Sequence, residues 1–241
     1  PAPTEIYTSR CSSAASDVYK RQVVEQPNVR SVVFKEQEGS YLAGVMAAKA
    51  SESGTVGFVG GMGIPLISRF ACGYKGGVKA TNADANVIEN MTGDTPAAWN
   101  DPVKGGEITK AQIAQGADVV YHAAGGTGVG VIQAAADAGK LAIGVDSNQN
   151  GLQPGKVLTS MMKRVDVAVY NAFKDGSEGG EWTTGFSVLG LAEGGVDLAM
   201  DDNNKPLVTD EMMAAVDDAR AKIVAGEVVV HDYMSDESCP Y

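Results

Sequence analysis

Several positions in the 241-residue chain carry side chains or backbone suited to holding a small polar ligand. Asp146 closes an apolar run in GVDSNQ, and Lys163 follows the run VLTSMM. A carboxylate and an ammonium at the ends of two strands could hold a hydroxyl-rich ligand, and a strand-end carboxylate is suited to vicinal ribose hydroxyls. Gly125 and Gly126 open the loop Gly125-Gly126-Thr127-Gly128, where missing side chains let a ligand approach backbone N–H groups at a helix start. Trp99 is isolated in the polar loop TGDTPAAWNDP and could stack on a planar base. Each feature also has a plain reading: tight turns for the glycines, a cap for Asp146, a solvated Lys163, and a Trp99 ring packed beneath its own loop.

Machinery for bond-making is sparse. His122 and His231 are the two histidines, and His122 lies inside an apolar strand, where a satisfied core histidine is expected. No metalloprotease, redox-dithiol, nucleophile-elbow or P-loop motif occurs. The reading therefore holds no catalytic residue, no metal and no cofactor. Asp146 follows Gly126 by the spacing of a dinucleotide fingerprint. The loop runs G-T-G-V-G-V instead of G-x-G-x-x-G, however, so an NAD-dependent or nucleotide-sugar enzyme is the rival reading. A formal charge of −11 argues against nucleic acid or anionic lipid as a partner. Cys72 and Cys239 are either two free thiols or, in an exported protein, a pair.

Strands alternating with helices must position these residues. Strands are predicted over 31–35, 55–59, 87–91, 118–123, 141–146, 157–161 and 228–233, with extended chain over 186–191. Helices are predicted over 40–50, from Pro65, over 102–115 and 129–138, after Lys163 with Val165, Ala168, Val169, Ala172 and Phe173 buried, and from Asp210 with Thr209 as its cap. This alternation implies doubly wound parallel sheets, whose ligands bind beyond the carboxyl ends of the strands. Residues 1–22 keep neither period, resemble translated adapter read-through, and are set aside together with Cys11.

In order, EGSYLAG, GTVGFVGG, IPLISRFACGYKGGV, WNDPVKG, GADVVYHAAGGTGVGV, AIGVDSNQ and LTSMMKRVDVAVY resemble the basic membrane protein (BMP) family, the PnrA-like substrate-binding lipoproteins of ABC transporters. The resemblance implies an α/β type I periplasmic-binding-protein fold, in which two hinged lobes close on a purine nucleoside. Trp99 stands where the family places a base-stacking aromatic, usually Phe. Gly125, with Gly126 beside it, stands at a backbone contact, and Asp146 and Lys163 stand at the groups holding the ribose. Asn148 replaces an Asp common in the family. ABC permease subunits are the implied partners, and the implied location is a periplasmic or cell-surface lipoprotein held to the membrane by its lipid. The family's lipobox and first-lobe base-gripping motifs are not found, so the first lobe is expected to lack about two or three βα units. The expected partition gives 23–53 and 151–180 to that incomplete lobe and 54–150 and 181–241 to the other, with crossings near Ser53, Asn150 and Gly180.

Overall fold

The computed structural model describes residues 26, 28–177 and 180–241; the segment 1–22, with Cys11, lies outside them. The elements follow in the order β1 (Arg30–Phe34), α1 (Glu36–Ala50), β2 (Thr55–Met62), α2 (Pro65–Thr81), β3 (Asn86–Gly93), α3 (Pro102–Ala114), β4 (Val119–Ala123), α4 (Gly128–Asp137), β5 (Leu141–Asp146), β6 (Val157–Lys163), α5 (Val165–Gly176), β7 (Gly185–Leu189), β8 (Val196–Leu198) and α6 (Asp210–Val224). Local chemistry sets several boundaries. Pro65 and Pro102 occupy first-turn positions where a missing N–H costs nothing. Asp101 caps α3 through the Lys104 N–H, and Thr209 caps α6 through the Met212 N–H.

Two sheets result. The larger has the order β3-β2-β4-β5-β6-β8, parallel except for β8, which runs antiparallel to β6; the smaller is the parallel pair β1-β7. Every residue of β4 is buried, the pattern of a central strand covered on both faces. The order reverses between β2 and β4, and in open parallel sheets ligands bind beyond the carboxyl ends of strands at such a reversal. Against this sheet lie α1 and α2, brought together by glycines: a Cβ on Gly77 would fall 1.9 Å from the Tyr41 carbonyl oxygen. Beneath them Phe58 and Tyr121 meet edge to face at 5.5 Å, and the Tyr121 hydroxyl shares a 3.1 Å hydrogen bond with Ser40.

Three expectations are corrected by this topology. First, the strands divide differently from the expected partition. Residues 157–163 form β6 within the larger sheet, because their buried run pairs with β5, whereas 185–189 pairs with β1. The passages between sheets consequently fall at Lys35–Glu36, Arg164 and Gly190–Leu191, not near Ser53, Asn150 and Gly180. Second, α5 buries none of its residues, and Val165, Val169 and Phe173 stay exposed, since the smaller sheet offers only two strands among the described residues. Third, 228–233 is not a strand: β8 takes the free edge of β6, and the tail instead bends into a short 3-10 turn capped by Asp232.

Candidate functional site

The carboxyl ends of β2, β4, β5 and β6 carry the candidate site. At the end of β5, Asp146 has φ +65°, a left-handed conformation that an aspartate tolerates better than most residues. The turn is closed by Ser147 N–H donating to the Val145 carbonyl at 2.8 Å. Behind it the loop is locked by side chains that fold back into the sheet. Gln149 Oε1 accepts from the Val145 N–H at 2.9 Å and lies 3.0 Å from His122 Nε2. The Gln149 N–H donates to Ser160 Oγ at 3.0 Å, and Ser160 donates in turn to Asn150 Oδ1 at 2.8 Å. Gly144 makes room for this network, because a Cβ there would meet Ser160 Oγ at 2.6 Å.

His122 is fully buried, and burial lowers its pKa from 6.5 to about 4 although Gln149 and Asp146 favour the charged form. It is neutral at pH 7 and bridges β4 to the loop after β5 through Gln149. Asn148 donates to Asp201 Oδ2 at 2.6 Å. An aspartate at 148 would instead place two carboxylates face to face.

Asp146 and Lys163 come together. Lys163 Nζ, at the end of β6, sits 3.3 Å from Asp146 Oδ1 and 3.2 Å from Glu36 Oε1, with the Phe70 ring 5.1 Å away. Asp146 Oδ1 accepts no hydrogen bond from any described group, so its contact with Lys163 is an ion pair without a directed bond. The Asp146 side chain remains 28% exposed. Glu36 is completely buried at the start of α1, and it also receives Arg69 Nη1 at 2.9 Å. Arg69 continues to Asp232, and to the Phe34 carbonyl at 3.2 Å. Glu36, Arg69 and Asp232 carried no sequence signal as a group, because they are distant in the chain and belong to no motif.

Gly125 and Gly126 form a second group with Trp99. Gly125 has φ +56° and starts a short turn leading into α4, and a Cβ on Gly126 would lie 3.2 Å from the Trp99 carbonyl oxygen. Thr127 stitches the two loops together, donating to the Ala98 carbonyl and accepting from the Asp101 N–H, both at 2.7 Å. Both glycines remain partly exposed, which leaves backbone accessible. Trp99 is 5% exposed, with its ring wedged over Gly61, where a Cβ would lie 2.2 Å from Cζ3. The plain reading, a ring packed beneath its own loop, is the one this conformation adopts.

Cys72 on α2 and Cys239 in the tail are joined by a disulfide, which resolves the two alternatives left by the sequence. Among the described residues no group of three or more His, Cys, Asp or Glu is placed to hold a metal ion. No described helix is long and apolar enough to cross a membrane.

Comparison with known proteins agrees with this architecture. The sequence model of the Bmp family, described as ABC transporter substrate-binding protein PnrA-like, matches residues 14–233. The match starts inside the stretch 1–22 set aside above and stops before Cys239. The ABC transporter nucleoside-binding protein BmpA of Lactococcus lactis subsp. cremoris is 36% identical over 226 residues, covering 86% of this chain and 62% of that protein. Basic membrane protein D of Borreliella burgdorferi is 35% identical over 181 residues, covering 74% of this chain and 52% of its own length. A crystal structure of an ABC transporter system solute-binding protein from Aeropyrum pernix K1 superposes with a TM-score of 0.72 at 30% identity, over 88% of this chain and 68% of that one. The chain thus spans less than two thirds of the length of these curated relatives.

Proposed function

The chain belongs to the PnrA-like family of ABC transporter substrate-binding proteins, with an α/β type I periplasmic-binding fold, and we propose that it binds a purine nucleoside at these strand ends by hinge closure. The observation that carries the reading is the Asp146–Lys163 pair, 3.3 Å apart at the ends of adjacent strands. Its carboxylate can accept from two vicinal hydroxyls while the ammonium donates to one of them, which is charge-assisted recognition of a diol. The Lactococcus relative is named as nucleoside-binding, in keeping with a ribose as that diol. Partly exposed backbone at Gly125 and Gly126 lies beyond the neighbouring strand β4 and offers polar contacts to the base. The passages at Lys35–Glu36, Arg164 and Gly190–Leu191 are the natural hinge, since they join the two sheets among the described residues.

No bond is made or broken in this activity. The bound ligand is handed to ABC permease subunits, and a lipid anchor holds the protein outside the membrane. Calorimetry on the protein expressed from its complete reading frame tests the reading with inosine, guanosine, a 2′,3′-dideoxy analogue and NAD. The expected result is micromolar or tighter binding of the ribonucleosides, with heat lost for the dideoxy analogue and absent for NAD. No heat with any nucleoside refutes the proposal.

A further inference from the structure

Lys163 is steered by groups well away from Asp146. Its ammonium is shared with the buried Glu36, and the other carboxylate oxygen of Glu36 is held by Arg69 Nη1. The remaining donors of Arg69 point to the tail: Nε donates to Asp232 Oδ1 at 2.7 Å and Nη2 to Asp232 Oδ2 at 2.5 Å, a two-pronged pairing that fixes the guanidinium plane. The tail cannot drift from this position. Cys239 is bonded to Cys72, three residues beyond Arg69 on α2, and the Tyr241 ring lies against Gly76 one turn further on. Asp232 also caps its own turn by accepting from the Met234 N–H at 3.0 Å.

We propose that the C-terminal tail is a strap that positions the ligand site, with Asp232 and Arg69 as positioning residues acting on Lys163 through Glu36. The route is Cys239 to Asp232, Asp232 to Arg69, Arg69 to Glu36, and Glu36 to the ammonium that faces the ligand. Three features favour a positioning role over simple surface pairing. Glu36 is completely buried, so a lost cation on either side leaves charge without solvent. Arg69 also holds the Phe34 carbonyl, at the first passage between the sheets, so the same guanidinium ties the hinge to the site. The charges are mutually stabilised: burial works to raise the pKa of Asp232, but the hydrogen bonds from Arg69 and the Met234 N–H hold it below the usual range. The disulfide joins Cys72, inside the span matched by the family model, to Cys239, which follows the end of that span at residue 233.

The inference rests on the nucleoside reading for its affinity measurement, so a ligand-free readout accompanies it. In the protein expressed from its complete reading frame, Asp232→Asn, Arg69→Lys, Arg69→Met and Cys239→Ser are compared with the natural sequence. The measurements are inosine affinity by calorimetry, melting temperature, and the nitrogen-15 signal of the Lys163 ammonium without ligand. In the natural protein the ammonium protons are expected to exchange slowly enough to be seen. Asp232→Asn is expected to weaken inosine binding by about 5- to 10-fold and to broaden or shift the Lys163 signal. Arg69→Met does so more strongly, Arg69→Lys recovers part of the loss, and Cys239→Ser follows Asp232→Asn in direction. A purely structural role would lower the melting temperature while leaving affinity and the Lys163 signal unchanged well below it, and that outcome overturns the proposal. Natural affinity and signal in Cys239→Ser alone overturn the strap as the device that places Asp232. Should the natural protein bind no nucleoside, the functional reading fails and the Lys163 signal still decides the positioning chain.

Discussion

Acidification from pH 7 to pH 4 probes the buried histidine that ties β4 to the Asp146 loop. Burial lowers the pKa of His122 from 6.5 to about 4, whereas an unfolded chain leaves it near 6.5. Between these values the unfolded state binds the extra proton and the folded state does not. The stabilising contribution is therefore complete above pH 6.5 and is lost as the pH falls toward 4. A displacement of this size corresponds to about 3 kcal/mol at its full extent, with a slope of up to about 1.4 kcal/mol per pH unit inside the window. Urea unfolding at pH 7.0, 6.0, 5.0 and 4.5 would show the loss in the natural protein. His122→Asn retains a donor for Gln149 while removing the titrating group, so this variant is less stable overall and has a flatter profile across the same window. Carboxylates held low by their partners, such as Asp232, lose their contribution at lower pH, and the difference between the two profiles isolates the histidine. Parallel profiles for the two proteins, or a His122 imidazole titrating near 6.5 in the folded protein, would refute the reasoning.

Other outcomes follow from single contacts. Gly44→Val puts a Cβ 2.2 Å from the Tyr74 carbonyl oxygen, so α1 and α2 must part; a loss of about 3 kcal/mol in urea unfolding is expected, and a neutral result would show that the helices separate freely. Cys239→Ser opens a cross-link that spans 167 residues, which should cost about 2–5 kcal/mol and remove the sensitivity of the melting temperature to reductant. Asp146→Gly suits φ +65° and removes backbone strain of about 1–2 kcal/mol while deleting the carboxylate. Stability should change by no more than about 1 kcal/mol and nucleoside affinity should drop by at least ~30-fold, with unchanged affinity counting against Asp146 as a ligand group.

Much of the fold was legible because its signals are local. Alternating apolar strands and helices, Pro65 and Pro102 at first turns and Thr209 as a cap depend only on near neighbours in sequence. So does the placing of Asp146 and Lys163 at strand ends, and the structure brings the two side chains to ion-pair distance. Asp146 was visible as a residue type at a position, but Gln149, His122 and Ser160, which lock its loop, were not. Their partners lie 11 to 27 residues away, and only sheet register brings them together.

Sheet membership was decided by tertiary structure for the same reason. The sequence predicts extended chain over 157–161 and 186–191, and nothing local states that one pairs with β5 and the other with β1. Trp99 illustrates the limit from the other side, since an aromatic in a polar loop can either stack on a ligand or pack beneath its loop, and only the fold places Gly61 under the ring. The ion-pair chain from Asp232 through Arg69 and Glu36 to Lys163 lies furthest from sequence reach, because it joins the tail to α2, α1 and β6. By itself the amino-acid sequence determined most of the elements and which residue types end the strands, but neither β8 nor the irregular course of 228–233. Only the tertiary structure decided which of those ends meet and what holds their charges, because burial and pairing depend on how the whole chain packs.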